Sequence, residues 1–387
     1  MLDEKIVDNK IEVAVDLLWL KPQNIGGAET VIRTLLDCFE KIDHNYKFVL
    51  LTTRDNEYSF RKYIQSDKFC MYICEIATLP VIKRLIWQNM HLYRILKKLD
   101  ISNYFCPVYI RPLIRMKGIR TVIVVHDLQQ LHYPEYFSKI RYLWCKYSWK
   151  RNIAISECVV TISYFCKHDI IHYYKTNENK IEVIYNPIAI ADEFVNYDEL
   201  EKKYEISENG YYYTILSPLK HKNLITLLKA VEKMKTADNN GNTIPKLIIS
   251  GISGGILDEL KQYTVQHGLE DICVFTGYVS DEERNTLIKN CNLFLFPSVF
   301  EGFGMPVIEA MQLGKKVITT KCTSIPEVSK NKAVYVDNPY DVDEWIKLIK
   351  ESSFSKNNPV LYFEEYQAEY SAHKYLEVFA NIFKNRT

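Results

Sequence analysis

The chain has 387 residues, of which 47% are hydrophobic, 49 are basic and 48 are acidic. This balance excludes a disordered, collagenous or membrane-spanning protein, and a net charge of +1 gives no global argument for nucleic acid. At roughly 100–200 residues per domain, the length predicts two domains or three.

The N-terminal MLDEKIVDNK is charged and lacks the apolar core of a secretory signal, so a cytoplasmic protein is expected. No apolar run approaches the roughly 18–20 residues of a spanning helix, which leaves docking from the cytoplasmic side as the expected membrane association. The ten cysteines are scattered; only Cys70 and Cys74 are close, and no second Cys pair completes a zinc site. They are expected to be buried thiols in a reducing compartment.

Along the chain, short β-branched runs alternate with longer helical patterns. IEVAVDLLWL (11–20), YKFVLLTT (46–53), TVIVVHDL (121–128), CVVTIS (158–163) and IEVIYN (181–186) predict buried strands. Between 186 and 210 the apolar pattern stops and acidic and turn residues accumulate, which marks a boundary. The pattern then restarts with YYYTILS (211–217), KLIISG (246–251), ICVFTG (272–277), NLFLFPS (292–298) and KVITT (316–320). Strands apolar along their whole length and separated by helices indicate parallel sheets covered on both faces. Two such series predict two doubly wound, Rossmann-like α/β domains, at 1–190 and 191–362, with a closing helix in 363–387. Ligands of such sheets bind outside the carboxyl ends of the strands, so the chemistry is expected there, in a cleft between two facing domains.

FPSVFEGFGMPVIEAMQLGKKVITT (296–320) runs on from one strand end. Pro306 suits the first turn of a helix, and Gly302 and Gly304 before it leave backbone amides at the positive end of the helix dipole. Glu301 precedes this helix and Glu309 is expected in its first turn, with both carboxylates directed to the same strand-end crevice. The alternative is a dipole-favoured first-turn acid at Glu309 and a solvated loop residue at Glu301.

The string EGFGMPVIEA, with glutamates at 301 and 309, resembles the E-x7-E motif of the retaining glycosyltransferases of family four, which have two facing Rossmann-like domains with a deep interdomain cleft (the GT-B fold). GGAE at 26–29, HDL at 126–128, SPLKHKNL at 217–224, VFTGYVSDEE at 274–283 and SIPEV at 324–328 fall in that family's order. The resemblance spans nearly the whole chain and is weakest between 55 and 115.

What the resemblance implies is a retaining hexosyltransferase that moves a sugar from a nucleotide-diphosphate sugar, GDP-mannose first and a UDP-sugar second, to a saccharide or lipid-linked saccharide. Surface polysaccharide biosynthesis is the implied setting. Gly26 and Gly27 would touch the donor, and their place between a strand and a helix starting near Glu29 suits a close approach of backbone to diphosphate. Lys222 would meet the leaving phosphate, where negative charge grows as the glycosidic bond breaks. By the same resemblance His126 would contact a sugar hydroxyl near the reacting carbon, although the residue pattern equally suits a satisfied core histidine. Glu301, beside Gly302, Phe303, Gly304 and Met305, would hold the donor sugar, Glu309 the ribose, and Gly277 and Tyr278 the base. One position departs from the family: the Arg usual five residues before the Lys is Ser217 here, so Lys220 or His221 substitutes, or Ser217 donates a single hydrogen bond. Two rival readings are an epimerase or hydrolase on the same fold and a catalytically silent saccharide-binding partner of a transferase complex.

Asp341 and Asp343 spell D-x-D, a metal-chelating string in other glycosyltransferases, but they precede a helical run and read as an N-cap and a first-turn acid. No metal or other cofactor is therefore expected. Between Val81 and Arg151, fourteen basic residues accompany three acidic ones, interleaved with Trp87, Tyr93, Tyr142, Trp144, Tyr147 and Trp149. Basic helices with amphipathic aromatics predict contact with an anionic membrane surface, and with no RNA or DNA module present nucleic acid is not expected.

Overall fold

A computed structural model describes residues 10–22, 26–190, 193–237, 244–353 and 360–383. The chain divides into two units, Met1–Pro187 with Glu364–Thr387, and Ile188–Phe363. The division thus falls between Pro187 and Ile188 rather than at 190/191, and the C-terminal helix belongs with the first unit instead of standing apart.

The first unit is built on β1 (Ile11–Asp16), β2 (Tyr46–Thr53), β3 (Phe69–Cys74), β4 (Asn103–Cys106), β5 (Arg120–Val125), β6 (Cys158–Thr161) and β7 (Ile181–Val183). All pairs are parallel, in the order β3-β2-β1-β4-β5-β6-β7. Its helices are α1 (Gly27–Lys41), α2 (Val81–Trp87), α3 (Tyr93–Lys98), α4 (Gln129–His132), α5 (Lys139–Ile155) and α6 (Tyr164–Tyr174); a π-helical turn, Gln88–Leu92, joins α2 to α3. The expected strand 11–20 ends early because the Asp16 side chain takes the Leu18 amide (3.0 Å) and turns the chain out of the ladder. Likewise β5 stops before His126, where Asp127 accepts from the Gln129 amide (3.0 Å).

The second unit begins with α7 (Tyr197–Tyr204) and alternates β8 (Tyr211–Ile215), α8 (Leu224–Ala237), β9 (Lys246–Ser250), α9 (Gly255–Gln266), β10 (Cys273–Gly277), α10 (Asp281–Asn290), β11 (Leu293–Phe296), α11 (Met305–Gln312), β12 (Val317–Thr320), α12 (Ile325–Val328), β13 (Val334–Val336) and α13 (Val342–Ser353). This sheet is also parallel, ordered β10-β9-β8-β11-β12-β13. Each sheet has one place where the strand order reverses, between β1 and β4 and between β8 and β11, and such a switch point opens a crevice at the carboxyl ends of the strands.

Both sheets are buried, as their unbroken apolar strands require: Val13, Ala14 and Val15 in the first unit and Leu247, Ile248 and Ile249 in the second are inaccessible to solvent. The last helix, α14 (Ala368–Ile382), packs along α1 in the first unit. Its Phe379 ring lies 5.1 Å from Phe105 and 6.1 Å from Phe39, centroid to centroid, and is fully buried. Ser371 ties the helix down by donating to the Tyr185 carbonyl (3.0 Å).

Phe379→Ala should therefore cost about 3–5 kcal/mol, the range for emptying a buried aromatic site. Denaturant unfolding followed through a first-unit signal measures it; a loss under about 1 kcal/mol would show that α14 contributes little to that core.

Candidate functional site

In a parallel sheet every strand ends on the same edge, and in the second unit that edge gathers most of the expected site. The segment after β8 runs through Ser217 to a 3-10 turn, Lys220–Lys222, and the segment after β11 carries Glu301. Because β8 and β11 are neighbours across the switch point, two residues 79 positions apart meet: Lys222 Nζ lies 2.6 Å from Glu301 Oε1. Both side chains are mostly buried. One contact uses one of three ammonium hydrogens and one of the carboxylate's several acceptor sites, so each group retains capacity for a ligand.

The loop bearing Glu301 is held from behind. Thr323 Oγ1 accepts from the Glu301 amide (3.0 Å), and Ser324 Oγ donates to the carbonyls of Glu301 (2.9 Å) and Phe303 (3.2 Å). The SIPEV string at 324–328 thus frames the EGFG string. Gly304 has φ +92°, a conformation that favours glycine, and caps α11, with Pro306 in the first turn. Asn223, in the left-handed region after the 3-10 turn, donates to the Pro339 carbonyl (3.0 Å) and accepts from Thr226 Oγ1 (2.8 Å), which fixes the turn that presents Lys222. Thr323 lies outside the motif strings, and Ser324 and Asn223 lie within them without being singled out; all three act through hydrogen bonds, which have no sequence period.

Glu309 corrects an expectation. The helix starts at Met305, so Glu309 sits beyond its first turn and is only 7% exposed, not a first-turn acid at the surface. Its carboxylate makes no hydrogen bond or ion pair with any described residue. Burial raises its pKa; the charge of Arg284 opposes this and that of Asp281 adds to it. A buried carboxylate without donors is costly, which suits a group whose partner is a ligand.

His221 gives a second correction. It is buried, and burial together with the neighbouring Lys222 charge lowers its pKa to about 3. It is therefore neutral and cannot stand in for the cation missing at Ser217. Ser217 is exposed, with its carbonyl accepting from the Leu219 amide (2.8 Å), and Lys220 is exposed beside it. Gly277 ends β10 on the same edge with φ +72°, its carbonyl accepting from the Gly251 amide (2.7 Å), and Tyr278 after it is well exposed. Asp341 is a cap: Oδ1 accepts from the amides of Asp343 (2.9 Å) and Glu344 (3.2 Å). Asp343 pairs with Lys233 instead of converging with Asp341.

The remaining expected residues lie in the first unit. Gly26 caps α1, which opens at Gly27, two positions ahead of the expected start near Glu29. Its φ of −121° does not demand glycine, and an added Cβ would meet nothing within 4 Å; what the glycine leaves is open space in front of a helix N-terminus. His126 follows β5, half-buried, with Nε2 2.9 Å from the Pro107 carbonyl at the end of neighbouring β4. A carbonyl only accepts, so Nε2 carries the proton and Nδ1 of the neutral ring presents a lone pair. Burial lowers the His126 pKa, which favours this neutral form. In the basic stretch 81–151 the structure removes two cations and one aromatic from the expected surface: Arg84, Arg111 and Trp149 are buried. All ten cysteines are free, and no cluster of three metal-ligating side chains occurs among the described residues.

Comparison with known proteins agrees with this architecture. Residues 196–381 match the family Glycosyl transferases group 1, and residues 25–192 match Glycosyltransferase Family 4. The chain belongs to this glycosyltransferase family, and its fold is GT-B. It is 29% identical over 229 residues to an O-antigen chain mannosyltransferase B of Escherichia coli, covering 58% of each chain. It is 31% identical over 239 residues to the O-antigen chain mannosyltransferase RfbU of Salmonella typhimurium, covering 62% of this chain and 61% of that one. The matches thus span about three fifths of these relatives. Among solved structures, Anabaena HepE in complex with UDP-glucose superposes with a TM-score of 0.71 at 15% identity, over 96% of this chain and 100% of that one. WaaG, a glycosyltransferase involved in lipopolysaccharide biosynthesis, gives 0.64 at 13%, over 95% of each.

The burial of Glu309 has a measurable consequence. Its folded pKa lies above its unfolded value of about 4.3, so the stability it contributes is full below that pH and is lost as pH rises through the folded pKa. Glu309→Gln should accordingly stabilise the ligand-free protein at neutral pH by about 1–3 kcal/mol and remove this loss. Thermal melts across pH test it; a Gln variant less stable at pH 7 would show that Arg284 already satisfies the carboxylate.

Proposed function

We propose that the protein is a retaining glycosyltransferase that moves a hexose from a nucleotide-diphosphate sugar to a saccharide or lipid-linked saccharide acceptor in surface polysaccharide assembly. The observation that carries this reading is the Lys222–Glu301 pair on the carboxyl edge of the second sheet, with the buried Glu309 in the helix that follows Glu301. A cation, a hydroxyl-binding carboxylate and a buried second carboxylate match the three parts of a nucleotide sugar: diphosphate, sugar and ribose. The mannosyltransferase relatives favour mannose, and hence GDP-mannose, while the UDP-glucose complex of HepE keeps a UDP-sugar as the second donor.

In the resting pair Lys222 is neutralised by one carboxylate. A diphosphate brings more negative charge than that single group and takes over the ammonium, releasing Glu301 to accept hydrogen bonds from the sugar. As the glycosidic bond breaks, charge accumulates on the leaving phosphate, where Lys222 is worth most. Glu301 orients the sugar and does not attack it. The acceptor hydroxyl approaches from the face the diphosphate leaves, and the neutral His126 accepts a hydrogen bond at Nδ1 from a sugar hydroxyl. Asp341 caps α13 and Asp343 pairs with Lys233, so no metal is assigned to the D-x-D acids and turnover is expected without one. The enzyme works in the cytoplasm, associated peripherally with an anionic membrane through 81–151; no described helix is long and apolar enough to cross one. The two rival readings differ in turnover: an epimerase or hydrolase consumes donor without acceptor, and a silent binding partner consumes none.

Lys222→Ala should lower kcat by about 100- to 1000-fold, the usual cost of removing a donor that meets developing charge. Steady-state kinetics with the donor identified by a thermal-shift panel of nucleotide sugars measures this. A change confined to KM would reduce Lys222 to uniform binding.

Proton NMR of the new linkage reads the stereochemical outcome. The product should keep the donor's anomeric configuration, in the wild type and in a partly active Glu301→Gln variant, and chelator-treated enzyme should give the same product at the same rate. An inverted product, a glycosyl adduct on Glu301, or loss of rate restored by manganese or magnesium would each overturn the corresponding step.

A further inference from the structure

Thr323 stands in a backbone conformation that its side chain does not favour. Its φ is +54°, in the left-handed region, where a β-branched residue is an outlier. The other non-glycine residues in that region, among those described, are aspartate, asparagine, glutamate and lysine, none of them branched at Cβ. Gly304, which caps α11 on the same edge of the sheet with φ +92°, shows the residue that such a position ordinarily selects. Strain of this kind persists where the surroundings hold the residue in place, and it gathers at ligand sites.

The Thr323 side chain has one partner inside the protein. Oγ1 accepts from the Glu301 amide at 3.0 Å, which ties the hydroxyl to the backbone of the residue whose carboxylate meets Lys222 at 2.6 Å. Accepting uses a lone pair and leaves the hydroxyl hydrogen to be given elsewhere. No described residue takes it. Ser324 is the contrast, since it is fully buried and its hydroxyl hydrogen goes to the carbonyls of Glu301 and Phe303. Thr323 is only half-buried, so its remaining donor can be reached from outside.

The neighbouring groups say what that donor meets. A carboxylate only accepts, so a sugar hydroxyl that gives its hydrogen to Glu301 keeps lone pairs in need of a donor. Lys222 does not fill that need once the diphosphate has drawn it away. A phosphate oxygen would take the Thr323 hydrogen too, but it would then lie beside the Glu301 carboxylate, a like charge. A sugar hydroxyl, which donates and accepts at the same oxygen, suits both neighbours.

Resting on the donor-site reading above, we propose that Thr323 is a further ligand-binding residue: its hydroxyl donates to the sugar hydroxyl whose hydrogen Glu301 accepts, and the two residues together select the donor sugar by the presence of that group. Calorimetry on the full chain with GDP, GDP-mannose and the monodeoxy forms of GDP-mannose, each lacking one sugar hydroxyl, tests it; UDP, UDP-glucose and its monodeoxy forms replace the set if UDP-glucose binds more tightly. Thr323→Val keeps the branched shape and removes the hydroxyl. It should bind the nucleotide as the wild type does and the nucleotide sugar about tenfold more weakly, whereas Thr323→Ser should stay within about threefold of the wild type on both. One monodeoxy form should bind the wild type about tenfold more weakly than the parent sugar nucleotide, and should bind the wild type and the Val variant equally, because the hydroxyl that Thr323 serves is gone. Should the Val variant not fold, Thr323→Gly, which suits the backbone, takes its place. Weaker binding of the nucleotide itself, or of every monodeoxy form by the same factor, would reduce Thr323 to a support of the Glu301 loop. Equal binding of the nucleotide sugar by wild type and variant would remove the contact altogether. In both cases the wild type still binds its donor and the donor-site reading stands; a wild type that binds neither GDP-mannose nor UDP-glucose would remove both.

Discussion

The site in the second unit depends on one constraint, the adjacency of β8 and β11 in a parallel sheet. Strand order there departs from chain order, and the two strands that meet at the reversal deliver Lys222 and Glu301 to the same edge. Parallel pairing puts both carboxyl ends on that side, and apolar strands buried on two faces hold the register that sets the 2.6 Å contact. Little of the remaining support touches the pair directly. Asn223 shapes the turn before α8, and Thr323 and Ser324 hold the loop before α11, so the pair rests on backbone that has been tied down elsewhere.

The electrostatics follow from burial. Lys222 and Glu301 pay for desolvation with each other, a pairing that a more highly charged ligand can displace. Glu309 has no such partner among the described residues, and the cost of keeping it is the sort carried by groups whose counterpart arrives in solution. His221 is the opposite case. Buried beside a lysine, it is held neutral and packs as a structural ring, although its place in a basic string made it resemble a cation.

In the first unit the same logic works on a loop. Asp16, Asn56 and Arg84 come from separate elements and converge on the Leu18 amide and the Leu17, Leu18 and Leu20 carbonyls just after β1, and Gln88 donates to the Asp16 carboxylate. Placing Arg84 and Gln88 inward leaves Ile82, Ile86 and Met90 facing out, which links the shape of a surface to the geometry of a strand-end loop.

The sequence by itself determined the two parallel-sheet domains, since runs such as 48–51 and 247–249, apolar at every position, are stable only between two layers of helix. It also determined the strand ends at which Glu301, Lys222 and His126 stand, the capping role of Asp341, and the family, because those strings keep their order along nearly the whole chain. Short strands such as Asn103–Cys106 were not legible: four residues without a β-branched side chain become a strand only through their neighbours. The pairing of Lys222 with Glu301, the burial of Glu309 and His221, the return of α14 to the first unit and the inverted face of 82–90 were decided by tertiary structure alone. Each depends on which elements lie side by side, and burial, unlike periodicity, is a property of neighbours that may be far away in the chain.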